Sequence, residues 1–122
     1  MKPEVLHTAL TQTRAVVPEA GGAAILSRDG HLLYSDGDLI ADQILLGVAG
    51  SAVMHIADVV SGGLEECPDS RVLISCRQHE ALFVPIGALG ILVLVLPQGS
   101  ADPSTIHASL KPVVQWLAGA MH

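Results

Sequence analysis

Seventeen consecutive residues, 81–97 (ALFVPIGALGILVLVLP), carry no charge. A membrane-spanning helix is the first reading of such a run, and three properties oppose it. The run falls short of the ~18–20 apolar residues a span needs. Pro85 and Gly87 interrupt it, and its second half is built from Ile, Leu and Val. The better reading is two adjacent antiparallel strands. The first closes at Val84–Pro85, Gly87–Ala88 turns the chain, and residues 89–96 form a strand apolar on both faces. Such a strand belongs at the centre of a sheet covered on both sides. The run therefore implies a two-sided sheet in a soluble domain.

The 122 residues are read as a single domain, 1–122, large enough for a core without disulfides or metal. Only Tyr34, Phe83 and Trp116 are aromatic, so that core must be aliphatic. The formal net charge is −6, and the six basic residues Lys2, Arg14, Arg28, Arg71, Arg77 and Lys111 are scattered. Nucleic-acid binding needs a clustered basic surface, which is not visible here. An anionic membrane is disfavoured for the same reason. The first twenty residues have no continuous apolar stretch of the kind a signal peptide carries. Cys67 and Cys76 suit a reducing compartment, so a cytoplasmic location is expected.

Along the chain, Pro3 opens a helix whose apolar residues run to Val17, where Pro18 stops it. AAILS (23–27) and HLLYS (31–35) flank Arg28-Asp29-Gly30, a hairpin signal. Residues 39–61 form the longest helical stretch, ended by Gly62–Gly63 and followed by a polar loop through Asp69. Strands at 71–77, 80–86 and 89–96 then make a meander. Asp102-Pro103 caps a closing helix with Ile106, Leu110, Val113, Val114 and Leu117 on one face, Trp116 at its edge and Pro112 inside it. The predicted order is α-β-β-α-β-β-β-α.

The middle helix is too apolar for a monomer's surface. On a wheel, Leu45, Ala49, Ala52, Ile56 and Val60 share one face, enough to cover a sheet. Leu46, Val53 and Ala57 widen the arc on one flank, with Gly50 and Met54 further round. Ile44, Val48 and Val59 widen it on the other, leaving Asp42, Gln43, Ser51, His55 and Asp58 as the polar remainder. An amphipathic surface helix needs a stripe on the order of 100° wide. Here the apolar arc exceeds half the circumference. That excess calls for burial under loops or for a second partner, most simply the same helix of another subunit. Gly47, Gly50 and Ala57 would permit close approach there.

No catalytic set emerges. The six histidines show no H-x3-H or H-E-x-x-H spacing. His79 and Glu80, as strand neighbours, point to opposite faces. Cys76 is expected mid-strand as an inert residue. Ser27 and Ser35 lack a nucleophile elbow, and GVAGS (47–51) lacks the Lys-Ser/Thr of a phosphate loop.

Three segments resemble the Roadblock/LC7 family. AAILSRDGHLLYS (23–35) is similar to its first hairpin. ADQILLGVAGSAVMHIADVVSG (41–62) is similar to its alanine- and glycine-rich central helix, and SRVLISCRQHEALFVPIGALGILVLVLP (70–97) to its closing meander. The first helix and the aliphatic economy resemble the prokaryotic, gliding-protein-like branch. The resemblance implies a profilin-like α/β three-layer sandwich, with a five-stranded antiparallel sheet between a central helix and two terminal helices. It implies no catalytic residue, cofactor or metal. It implies homodimers, or heterodimers with a paralogous Roadblock chain, formed by central helices and neighbouring strand edges. It also implies a Ras-like small GTPase as partner, scaffolded or activated. Leu46, Gly50, Val53, Met54 and Ala57 are expected at the helix seam, with Val72, Ile74 and Cys76 on the strand near it. The alternative is a profilin-like module that senses a small ligand held between sheet and helix.

Overall fold

The chain runs α1 (Pro3–Val16), β1 (Gly22–Ser27), β2 (Leu32–Gly37), α2 (Gln43–Gly63), β3 (Val72–Ser75), β4 (His79–Ile86), β5 (Gly90–Pro97) and α3 (Pro103–Ala120). The computed structural model describes residues 3–39, 43–63, 70–100 and 102–120. The element order is the one read from the sequence. All five strands pair antiparallel in one sheet, ordered β2-β1-β5-β4-β3.

The charge-free run supplies the middle of that sheet. β5 lies between β1 and β4, and every residue from Gly90 to Leu96 is buried. Its side chains alternate between two cores, as the period of a strand requires. Leu92, Leu94 and Leu96 pack with α1 and α3, whereas Ile91, Val93 and Val95 pack with α2. The turn into β5 is tight. Leu89 N–H donates to the Ile86 carbonyl at 3.0 Å, and Gly87 takes a φ of +54°, a region that favours glycine.

The first hairpin turns as the Asp-Gly signal predicts. Ser27 N–H donates to the His31 carbonyl at 2.8 Å, and Gly30 has a φ of +90°. At the other end of the chain, Asp102 caps α3 by accepting from Ser104 N–H on its carboxylate (3.4 Å) and from Ile106 N–H on its carbonyl (3.0 Å). Pro112 does not end α3. It lies on the exposed side with Ala108, whose carbonyl loses its helical partner to the missing proline N–H.

Three local expectations need correction. α2 begins at Gln43 rather than at residue 39, and Leu39 is buried outside any helix. β3 holds four residues instead of seven. Its pairing ends at Ser75↔Glu80, because Cys76 N–H turns back to the His79 carbonyl at 2.8 Å to close the hairpin. Cys76 therefore sits at an exposed turn, not mid-strand. Trp116, at the edge of α3's apolar face and expected to pack in the core, is 43% exposed and belongs to neither core. Asp42, the loop at 65–69 with Cys67, and His122 lie outside the described residues.

Candidate functional site

The α2 helix uses a different face against the sheet from the one its wheel predicts. Leu46, Val53 and Met54 are buried in one cluster with Leu26, Phe83, Ile91 and Val93. Gly50 lies directly against Leu26, and a Cβ there would collide with the leucine's Cδ1. Gly47 faces the β1–β2 turn, where its backbone meets that of Gly30. A Cβ on Gly30 would stand 2.7 Å from the Gly47 carbonyl oxygen, and one on Gly47 would strike the Gly30 carbonyl. The two glycines thus select the docking face by letting the hairpin approach. Four of the five helix residues expected at an intersubunit seam, Leu46, Gly50, Val53 and Met54, are committed to the chain's own core, and Ala57 is half-buried beside them.

Of the residues expected on the sheet, Ala49 does pack against this core and Val60 is half-buried, but two turn outward. Ala52 is exposed, and Ile56 is 53% exposed. Val48 and Val59, placed on a flank by the wheel, are 63% and 58% exposed. Positions 48, 52, 56 and 59 follow helical spacing and make one apolar stripe opposite the docked face. His55 is the exposed polar neighbour within it. Asp58, on the flank, forms an ion pair with Arg28, which also donates to the Ala88 carbonyl at 3.2 Å. That arginine, itself in the β1–β2 turn, ties α2 to the β4–β5 turn.

β3 lies at one end of the sheet and pairs with β4 alone among the described strands. Val72 and Ile74 oppose Phe83 and Ala81, which belong to the α2 side of the sheet. Val72 is half-buried, Ile74 is 45% exposed and Cys76 is exposed beyond the strand. An apolar side chain at a strand edge and an apolar helix stripe are features that a second chain could cover.

Several other polar groups make structural contacts. His7 Nδ1 lies 2.9 Å from the Tyr34 hydroxyl, joining α1 to β2, and Arg14 bridges to Asp36 at 2.9 Å. Buried Glu80 accepts from Gly99 N–H at 3.0 Å and from Ser75 Oγ at 3.3 Å. Ser27 Oγ donates to Asp29 at 2.6 Å, and this bond above all holds the Asp29 carboxyl below the usual range, helped by its own backbone N–H and by His31. Among the described residues no three His, Cys, Asp or Glu side chains converge as metal ligands, and no helix is long and apolar enough to cross a membrane.

No family model and no curated protein matches the chain. Solved structures do. MglB from Myxococcus xanthus aligns with 98% of this chain and 92% of its own, at 14% identity and a TM-score of 0.75. MglB in a tetrameric arrangement aligns over 99% and 93%, at 16% and 0.69. A Roadblock/LC7 domain from Streptomyces avermitilis aligns over 90% and 94%, at 12% and 0.71. A profilin from Schizosaccharomyces pombe aligns over 96% and 99%, at 13% and 0.66. The chain therefore has the Roadblock/LC7 fold of the gliding-protein type, within the profilin-like architecture.

The sequence puts Ala52 and Ile56 on the sheet and Val48 and Val59 on its flank because nearly every face of α2 is apolar, so periodicity fits several rotations. The Gly47–Gly50 spacing is the signal that distinguishes them. It marks a face that can come close to a neighbour, and the nearest neighbour is the chain's own hairpin.

Proposed function

We propose that this chain is a non-catalytic, cytoplasmic adaptor that pairs with a second copy of itself, or with a paralogous Roadblock chain, and in that form binds a Ras-like small GTPase as a scaffold or activating partner. The observation that carries the pairing is the outward stripe Val48, Ala52, Ile56 and Val59, with exposed Ile74 on the α2 side of edge strand β3. Exposed aliphatic side chains gain roughly 25 cal/mol per Å² of apolar surface removed from water. A two-fold contact would bury each of them twice. The seam then consists of those four helix residues with Val72, Ile74 and Cys76. Leu46, Gly50, Val53, Met54 and Ala57 hold it from beneath. The shared fold with MglB, one structure of which is a tetrameric arrangement, supports self-association. The GTPase partner rests on the family resemblance of the three segments quoted above.

Two measurements test this reading. Light scattering at micromolar concentration should give twice the 12.6 kDa chain mass, and a monomer would overturn the pairing with itself. Pull-downs with Ras-like GTPases, loaded with GDP or with a GTP analogue, should retain at least one of them. Failure with every candidate would overturn the adaptor role.

A further inference from the structure

On the opposite side of the sheet from α2, we infer that the chain holds a binding site for a small carboxylate with a short apolar body, in the cavity between α3 and the free end of β4. The cavity arises from a mismatch of strand lengths. β3 begins at Val72 opposite Phe83, so Val84–Ile86 continue β4 without a β3 neighbour among the described residues. Pro85, which has no N–H to leave unpaired, suits that open edge. α3 crosses above it and leaves a cavity of about 210 Å³.

Two kinds of wall meet in this space. His107, Lys111 and Gln115 line it from one face of α3, each a helical turn beyond the last. Val84, Pro85, Val114 and Ala118 supply the apolar part. His107 is 6% exposed, and Arg71 Nη1 lies 3.1 Å from its Nδ1 while Nη2 donates to Ser104 Oγ at 2.9 Å. A guanidinium can only donate. Nδ1 is therefore the acceptor, and the ring proton sits on Nε2. Arg71 fixes this tautomer and adds positive charge behind the ring. Lys111 lines the cavity itself, and Arg71 adds its charge from behind His107, in a protein whose net charge is −6. Both His107 and Lys111 also interact elsewhere within the chain, and an ammonium with three N–H donors can serve more than one acceptor.

Size and lining choose the ligand. Sites for drug-sized molecules span ~300–1,000 Å³, so this one takes something smaller than a nucleotide. An inorganic anion would satisfy the polar wall and leave the apolar one wet. A neutral alcohol would do the reverse. A short-chain carboxylate satisfies both.

Butyrate is the probe, titrated into the full chain at constant ionic strength and followed by amide chemical shifts. Saturable shifts are expected at Gly87, His107 and Lys111, with 1-butanol and inorganic phosphate each at least about tenfold weaker. Lys111→Gln, an exposed position, should weaken butyrate by about tenfold or more without moving the melting temperature. Ala118→Leu should fill the floor and abolish saturation. No saturable shift, equal binding of phosphate or butanol, or undiminished binding by Lys111→Gln would each overturn the site. Because α2 lies across the sheet, these results are independent of the pairing.

Discussion

Glycine at position 47 is a steric requirement, and its replacement separates two opposing effects. Alanine in a helix interior is favoured over glycine by up to ~1 kcal/mol. A Cβ at Gly47, however, would meet the backbone carbonyl of Gly30, which cannot rotate away. Overpacking of that kind costs ~1–3 kcal/mol and can cost more. Gly47→Ala should therefore destabilise by roughly 2 kcal/mol in urea unfolding. Gly62→Ala, where nothing lies within 4 Å of the added carbon, should be neutral or slightly stabilising. A Gly47→Ala variant as stable as the wild type would mean that α2 does not rest on the hairpin turn. Asp29 offers a second test at this scale. Its carboxyl is held below its ordinary value chiefly by Ser27 Oγ. A lowered folded-state value contributes stability above the unfolded value and loses it as pH falls through the folded one. Ser27→Ala should move the Asp29 titration upward in carbon-detected NMR, so the turn loses its charged acceptor at a higher pH. An unmoved titration would assign the shift to the backbone N–H and His31 instead.

At the level of elements, α2 is the helix whose two faces do different things, and two glutamates distinguish them. Val53 is 5% exposed in the core beneath the helix, whereas Ile56 is 53% exposed above it. Val53→Glu buries a carboxylate without a partner. The penalty is several kcal/mol, comparable to the ~5–15 kcal/mol that a domain's whole stability spans. That variant should lose cooperative unfolding. Ile56→Glu removes apolar surface from the outer stripe, and two copies bring two carboxylates to one seam. It should remain folded by circular dichroism and elute as a monomer, with self-association weakened at least about a hundredfold. A folded Ile56→Glu dimer would move the seam elsewhere. Sequence reading located α2 and its surplus of apolar surface but not the rotation that places it. A helix wheel has no term for the approach distance that Gly47 and Gly50 allow, whereas strand alternation leaves just two choices of face. This is why β5 was readable from Ile91, Val93 and Val95 against Leu92, Leu94 and Leu96, and why α2 was not.

For the molecule as a whole, element order and sheet came through because residues 81–97 admit one arrangement, a central strand and its neighbour. The cavity beside α3 did not. It depends on β3 stopping short of β4 and on Arg71 meeting His107 across 36 positions, neither of which a linear pattern encodes. Charge settles one more question about the pairing. Each chain carries a formal −6, so two copies repel at long range. The outer stripe of α2 has no charged member, and its flanking Asp58 is matched within the chain by Arg28. Added salt then has no intersubunit ion pair on that stripe to weaken. It screens the mutual repulsion, whose reach shrinks from ~30 Å at 0.01 M ionic strength to ~10 Å at 0.1 M. The dimer dissociation constant should fall severalfold between roughly 0.01 and 0.3 M sodium chloride, as measured by sedimentation equilibrium. An interface held by opposite charges would behave in the other sense. Dissociation that increases with salt would therefore reject the apolar seam even if a dimer forms.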